Sequence, residues 1–271
     1  MEAALAIHTA ARRYCLERHS QWADLYMEMV RRGGDREPDG YNYTAEALAT
    51  FPRYNILNAV RVEIERIDTT ALRDFESARA LVLRAGEVAN DDFTRKPIGP
   101  IDKRAIEEER TTFCSYINGL TPAVLNAVLP LPFRRVLAKD ESGAIWLRLR
   151  DRWQIPKGYW YPLNSCTVPD VEAFDEHAFN DSVSPERLQG ILGLRGVERV
   201  WEFREFGPEY EQDLSLLDPC YNGAEGYWSS GSLDWIVYAS HEGSVTIGGW
   251  VLEEIKVVWP TWASHLWSQT F

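Results

Sequence analysis

Serine, histidine and carboxylate side chains come together in one short stretch near the C-terminal end of this sequence. Ser240, His241 and Glu242 are consecutive, and Asp234 stands six residues before Ser240. A serine nucleophile, a histidine base and an orienting carboxylate can hydrolyse a substrate when their side chains lie within proton-transfer distance. The sequence therefore offers a hydrolase hypothesis, with Asp234, Ser240, His241 and Glu242 as candidate catalytic residues.

The same residues also fit a polar turn. His241-Glu242-Gly243 separates two β-rich runs, 233–240 and 244–248, and a glycine at the third position can take a positive φ. This pattern predicts a hairpin with a type I turn and a bulge. In that interpretation Asp234 and Ser240 bracket a strand, and His241 and Glu242 lie at its solvated end. The spacing favours the turn, because a catalytic grouping requires the sheet to curl until the tip meets the residues before the strand.

Aromatic residues are concentrated in the same half of the chain, where ten of the eleven tryptophans follow Gly143. Indole rings stack on sugars, bases and cations, and they also anchor protein interfaces. Most of these tryptophans lie on apolar faces of predicted elements, and we expect them in the core. Trp160 and Trp228 are the expected exceptions, because each lies in a segment with glycine and tyrosine, and both are candidate binding residues.

Negative charge is concentrated at the C-terminal end. The chain carries a net charge of −12, and residues 205–271 hold ten acids against one base, Lys256. Such a segment would attract a basic protein partner and would oppose binding to nucleic acid. Glu225, Asp234, Glu242 and Trp228 are the candidate contacts.

Bacterial immunity proteins that neutralise nuclease toxins are similar to this chain in being acidic, mixed α+β and poor in motifs. The first hypothesis is therefore an interaction protein of that kind. A hydrolase that uses the four residues named above is one alternative. A small-ligand sensor with an aromatic pocket between the two halves of the chain is the other, because domain junctions often hold ligands.

Several standard sites are absent from the sequence. It contains no P-loop and no dinucleotide-binding fingerprint, and its histidines and four cysteines lack the spacing of metal ligands. We therefore expect no cofactor and no metal. Charged residues interrupt each apolar run before it could span a bilayer, and the N-terminus lacks the features of a signal peptide. These patterns predict a cytoplasmic protein without membrane contact.

Residues 1–130 have the periodicity of helices throughout. Ile56, Leu57, Val60 and Ile64 mark one strongly periodic helix. Asp68-Thr69-Thr70 offers capping oxygens for the next helix, and Thr121-Pro122 is a further helix start. This half is predicted to be an all-α bundle or array.

Residues 131–271 mix helices and strands, which predicts an α+β domain with an antiparallel sheet and an α+β fold overall. Helices are expected over 140–153 and after Ser184-Pro185, and a strand over 197–206. Tyr159-Trp160-Tyr161 is β-prone. After Gly248-Gly249, a helix bent at Pro260 is expected to continue to the C-terminus.

Overall fold

The computed structural model describes residues 2–156 and 159–268. The chain divides into two compact units, Met1–Leu131 and Pro132–Phe271. The first is helical, and the second contains an antiparallel sheet with helices. The predicted α+β fold, with its helical N-terminal part, is confirmed.

Helices build the N-terminal unit, and polar side chains fix where they begin. The Thr44, Asp74 and Thr121 side chains accept hydrogen bonds from backbone amides in the first turns of their helices, which satisfies donors that have no partner inside the helix. The helices are α1 (Ala3–Arg31), α2 (Ala45–Glu65), α3 (Phe75–Val88), α4 (Pro100–Gly119) and α5 (Pro122–Leu125).

One predicted helix start is wrong. Asp68 does accept a hydrogen bond from the Thr70 amide, but it caps a short 3-10 turn, Thr69–Ala71, and not the third helix. That helix begins at Phe75 behind Asp74, whose carboxylate accepts from the Ser77 amide at 2.8 Å. Two aspartates with capping geometry lie six residues apart, so the local pattern did not distinguish between them.

A buried carboxylate links three helices of this unit. Glu109 on α4 accepts hydrogen bonds from Arg18 (2.9 Å) and Trp22 (3.1 Å) on α1 and from Arg53 (3.5 Å) on α2. The side chain of Glu109 is 1% exposed, so its charge is compensated by the two guanidinium groups. The surrounding core is apolar and includes Ile7, Ile56, Val60, Phe113 and Ile117.

Among the described residues, the C-terminal unit contains a seven-stranded sheet in the order β1-β4-β3-β5-β6-β7-β2, with every neighbouring pair antiparallel. The strands are β1 (Arg134–Val136), β2 (Val171–Asp175), β3 (Arg199–Arg204), β4 (Tyr210–Asp213), β5 (Gly226–Ser229), β6 (Trp235–Ser240) and β7 (Ser244–Gly249). The helices are α6 (Lys139–Trp153), α7 (Glu176–Ser182), α8 (Pro185–Leu194) and α9 (Trp250–Val258).

Both faces of the central strands are buried. Val237 and Ala239 of β6 pack in a cluster with α8 and α9 residues, whereas Ile236 and Tyr238 pack in a second cluster with α6 residues. Side chains alternate across a strand, so the two clusters lie on opposite faces of the sheet. Because both faces of β6 are covered by other residues of the unit, its side chains form a continuous apolar run.

The predicted hairpin is confirmed. Ser240 pairs with Ser244, and the three residues between them form the turn. Gly243 has a φ of +67°, which is the left-handed conformation that this type of three-residue turn requires at its last position.

Two other expectations in this unit are wrong. Tyr159-Trp160-Tyr161 is not a strand, because a turn begins at Tyr161 and the segment pairs with no strand in the part of the chain that the structure describes. The last helix, α9, ends at Val258 and does not continue bent through Pro260. A 3-10 turn, Trp262–His265, follows, and Leu266 then bridges to Phe174 of β2. Pro260 lacks the amide that helix continuation needs.

None of the helices among the described residues is long and apolar enough to cross a membrane.

Candidate functional site

Asp234 and His241 lie at opposite ends of β6. Asp234 precedes the strand and His241 follows it, with six strand residues between them. At about 3.3 Å per residue, the strand separates them by roughly 20 Å. The tip of the hairpin therefore does not meet the segment before the strand, and Asp234 is not grouped with Ser240 and His241, as the turn interpretation predicts.

Glu225 is the carboxylate that the fold brings to His241. Gly226 pairs with Ala239 across β5 and β6, so the residue before β5 lies beside the end of β6. One carboxylate oxygen of Glu225, Oε1, accepts a hydrogen bond from the His241 backbone amide at 3.1 Å and also hydrogen-bonds to His241 Nδ1. The Glu225 side chain is 1% exposed, whereas that of His241 is 37% exposed.

Carboxylates occupy both ring nitrogens of His241. Its Nε2 lies 3.2 Å from Oε1 of Glu242, on the opposite side of the ring from Glu225. The hydrogen bond to Glu225 raises the pKa of His241 above its usual value, burial opposes this shift, and the charges of Glu225, Glu242 and Glu205 add to it. When the ring is protonated, both of its nitrogens can donate to these carboxylates.

Ser240 is not available as a nucleophile. Its side chain is fully buried, its hydroxyl pairs with that of Ser244 at 2.7 Å, and it accepts from the Glu242 amide at 3.2 Å. A general base needs a free ring nitrogen directed at the nucleophile, whereas both ring nitrogens of His241 already contact carboxylates. The arrangement gives the hydrolase hypothesis neither its nucleophile nor its base.

Two exposed tyrosine rings flank His241. The ring of Tyr159 lies 5.1 Å from the imidazole, and that of Tyr221 lies 6.2 Å from it. Both are more than a third exposed. Glu205, an exposed residue just after β3, completes the surroundings, since its backbone amide donates to the Glu225 carbonyl at 3.0 Å. We name this group the hairpin cluster: Tyr159, Glu205, Tyr221, Glu225, His241 and Glu242.

Beneath the hairpin cluster, two stacked tyrosines form a buried floor. The rings of Tyr227 and Tyr238 lie 4.6 Å apart. Burial raises the pKa of Tyr238, and the neighbouring Tyr227 and a hydrogen bond to Glu225 raise it further. Both tyrosines therefore stay neutral, and the Tyr238 hydroxyl can stabilise the Glu225 carboxylate from inside the sheet.

Trp160 and Trp228 are core residues, so the expectation that they are exposed binding residues is wrong. Trp160 is fully buried, and its indole nitrogen donates to the Trp153 carbonyl at 3.2 Å. Trp228 is 1% exposed and lies in β5, not in a loop. Its ring lies over Gly226, where an added Cβ would come within 2.2 Å of it.

Three of the ten acids in the acid-rich segment pair with bases from the preceding segment. Arg135 contacts Glu211 at 2.7 Å, Arg195 contacts Glu254 at 2.5 Å, and Arg199 contacts Asp213 at 3.4 Å. The charges of these three acids are therefore compensated within the unit. Among the acids expected to contact a partner, Glu225 and Glu242 belong to the hairpin cluster, and Asp234 lies at the other end of β6.

Sequence reasoning missed Glu205, Tyr159 and Tyr221. Glu205 was visible at the end of a predicted strand, but alternation along one strand does not identify its neighbours on other strands. Tyr159 and Tyr221 lie in irregular segments, for which no sequence period gives a position. The proximity of Glu205 to His241 follows from strand order, whereas that of Tyr159 and Tyr221 depends on the paths of two loops.

Among the described residues, no group of three or more His, Cys, Asp and Glu side chains is arranged to hold a metal ion. Comparison with protein-family models, with curated proteins and with solved structures found no match for this chain.

Proposed function

We propose that the C-terminal unit is a protein-binding module that takes a basic protein partner at the hairpin cluster. The observation that carries this proposal is the placement of two exposed carboxylates, Glu205 and Glu242, and two exposed tyrosine rings, Tyr159 and Tyr221, around one imidazole ring. This combination of charge and aromatic surface is suited to lysine and arginine side chains.

The charge balance of the hairpin cluster is negative. Three carboxylates, those of Glu205, Glu225 and Glu242, surround one histidine and raise its pKa, and they outnumber the one positive charge that the ring can carry. The excess negative charge would attract a cationic side chain of a partner, and this attraction would also accelerate association. Since Glu205 and Glu242 are exposed, their contribution should weaken as salt concentration rises.

The tyrosine rings add contact area at low entropic cost. Tyrosine is enriched at interface centres, where it packs against a partner while its hydroxyl stays hydrated. A guanidinium or ammonium group within about 6 Å of a ring face is attracted by the ring quadrupole. Tyr159 and Tyr221 would therefore provide the anchors, and the carboxylates would provide orientation.

The test combines capture with a defined binding measurement. Immobilised full-length protein is used to capture proteins from the native host, and each captured protein is purified and titrated against wild type. The proposal expects a basic protein whose association rate falls several-fold in a Glu205→Gln/Glu242→Gln variant. It also expects a loss of at least about fivefold in affinity for Tyr221→Ala.

A matched control removes the same charge elsewhere in the unit. Glu186→Gln/Glu253→Gln changes two exposed acids on α8 and α9 and should leave the association rate near that of wild type. If the captured partners are acidic, or if the two double variants weaken binding equally, the proposed site is wrong.

A further inference from the structure

A cavity lies at the other end of β6 from the hairpin cluster. An open cavity of about 590 Å³ is bounded by the segment after α8, by the turn between β5 and β6, and by the first residue of α9, Trp250. All of its lining residues belong to the C-terminal unit. The volume is within the usual range for small-molecule sites.

The charges that line the cavity are balanced. Arg195 and Arg199 face it together with Glu198 and Asp234. Each arginine is also paired outside this set, Arg195 with Glu254 and Arg199 with Asp213. An anion would compete with carboxylates already in place, and a cation would meet two guanidinium groups. A neutral ligand that both donates and accepts hydrogen bonds fits this lining best.

A chain of hydrogen bonds leads to Asp234. The Trp235 indole nitrogen donates to Ser230 Oγ at 2.8 Å, Ser230 Oγ lies 3.2 Å from Ser232 Oγ, and Ser232 donates to Asp234 Oδ1 at 2.5 Å. Because the single hydrogen of Ser232 goes to Asp234, that of Ser230 goes to Ser232. Asp234 is exposed, so its other carboxylate oxygen, Oδ2, is accessible and can accept a hydrogen bond from a ligand.

The backbone holds Asp234 firmly. Gly249, at the end of β7, has a φ of +78°, and a Cβ there would lie 2.0 Å from the Asp234 carbonyl oxygen. The two backbones can approach this closely because residue 249 has no side chain. Trp250 follows directly, with its indole half-buried at the cavity and the Arg195 guanidinium 5.3 Å from the ring. The backbones that carry Asp234 and Trp250 are therefore held close together.

We propose that this cavity binds a neutral sugar unit. Adjacent hydroxyls of a sugar can donate to a carboxylate such as that of Asp234, and its ring and hydroxyl oxygens can accept from Arg195 and Arg199. The C–H face of the sugar ring can pack on the Trp250 indole, as apolar surface does on aromatic rings. Charge balance, an accessible acceptor, guanidinium donors and an indole together select this class of ligand.

The experiment is saturation-transfer NMR on the full-length protein with methyl glycosides of glucose, galactose, mannose and N-acetylglucosamine, each at millimolar concentration. The proposal expects saturation transfer to at least one glycoside. Asp234→Asn and Arg195→Gln should each weaken that binding about tenfold, since each removes a charged hydrogen-bonding group. Asp218→Asn, an equivalent change at an exposed acid that does not line the cavity, should leave it unchanged.

Three results would overturn the proposal. These are no transfer to any of the four glycosides, transfer that Asp234→Asn and Arg195→Gln leave at the wild-type level, and binding of inorganic phosphate or glycine at the cavity in place of a glycoside. The proton spectrum of each variant shows whether it is folded. Since the hairpin cluster contains none of these residues, failure here leaves the proposed protein-binding function separately testable.

Discussion

Glu225 and His241 are sixteen residues apart in sequence, and they meet because β5 and β6 run antiparallel with Gly226 opposite Ala239. The carboxylate is buried and the imidazole is partly exposed, so the pair joins the interior of the sheet to its surface. The contact between Glu225 and His241 fixes the tip of the hairpin against β5 and places a buried negative charge in the hairpin cluster.

The first prediction concerns pH. The pKa of His241 is raised in the folded protein, chiefly by its hydrogen bond to Glu225, so folding favours the protonated form. The resulting stability is fully present below the unfolded-state pKa of about 6.5 and is lost as pH rises through the folded-state pKa. The free energy of unfolding of wild type should therefore fall relative to that of His241→Gln over this window.

Urea unfolding at a series of pH values measures that difference, and NMR titration of the His241 ring gives the folded-state pKa directly. The groups that face the ring are Glu225, Glu242, Glu205, Tyr159 and Tyr221. A ring titration midpoint at or below about 6.5 would contradict the prediction.

The second prediction separates the two carboxylates that contact His241. Glu225→Gln removes a buried charge that His241 and Tyr238 both contact, and it should lower the free energy of unfolding by about 1–3 kcal/mol. Glu242→Gln removes an exposed partner of the same ring, and it should cost less than about 1 kcal/mol. Urea unfolding near pH 6 compares them. Equal losses of unfolding free energy in the two variants would show that the burial of Glu225 does not strengthen its contact with His241.

The third prediction concerns the N-terminal unit. Glu109→Ala leaves the guanidinium groups of Arg18 and Arg53 without their shared buried partner, and it should destabilise the unit by about 3–5 kcal/mol. Glu108, the neighbouring residue, contacts Arg53 at 2.5 Å but is 53% exposed, so Glu108→Ala should cost less than about 1 kcal/mol.

Hydrogen exchange of the amides in α1, α2 and α4 reports this third effect on the unit itself. Loss of protection in all three helices for Glu109→Ala, with protection retained for Glu108→Ala, is the expected result. Unchanged hydrogen exchange in α2 would show that the contact between Arg53 and Glu109 does not stabilise this helix.

The elements were largely determined by local sequence. Turn chemistry at Gly243 specified the hairpin, and Ser184-Pro185 and Thr121-Pro122 specified helix starts, because each depends on a few adjacent residues and on backbone geometry. Local sequence was insufficient where two signals competed, as at Asp68 and Asp74. It was also insufficient at Tyr159-Trp160-Tyr161, where β-propensity had no neighbouring strand to pair with.

The candidate site was decided by strand order. His241 and Glu242 were identified as a pair from sequence, but sequence spacing also grouped them with Asp234, which the length of β6 keeps away. Tyr159, Glu205 and Tyr221 come from three separate segments. The pairing of β3 with β5 and of β5 with β6 brings Glu205 towards His241, and the loop that carries Tyr159 packs on β6 through the hydrogen bond from the Trp160 amide to the Tyr238 hydroxyl. Sequence by itself determined which residues could ionise or stack and which local elements they would form. Tertiary structure alone decided which of them meet and which are buried, because contacts between strands depend on long-range pairing that no local period encodes.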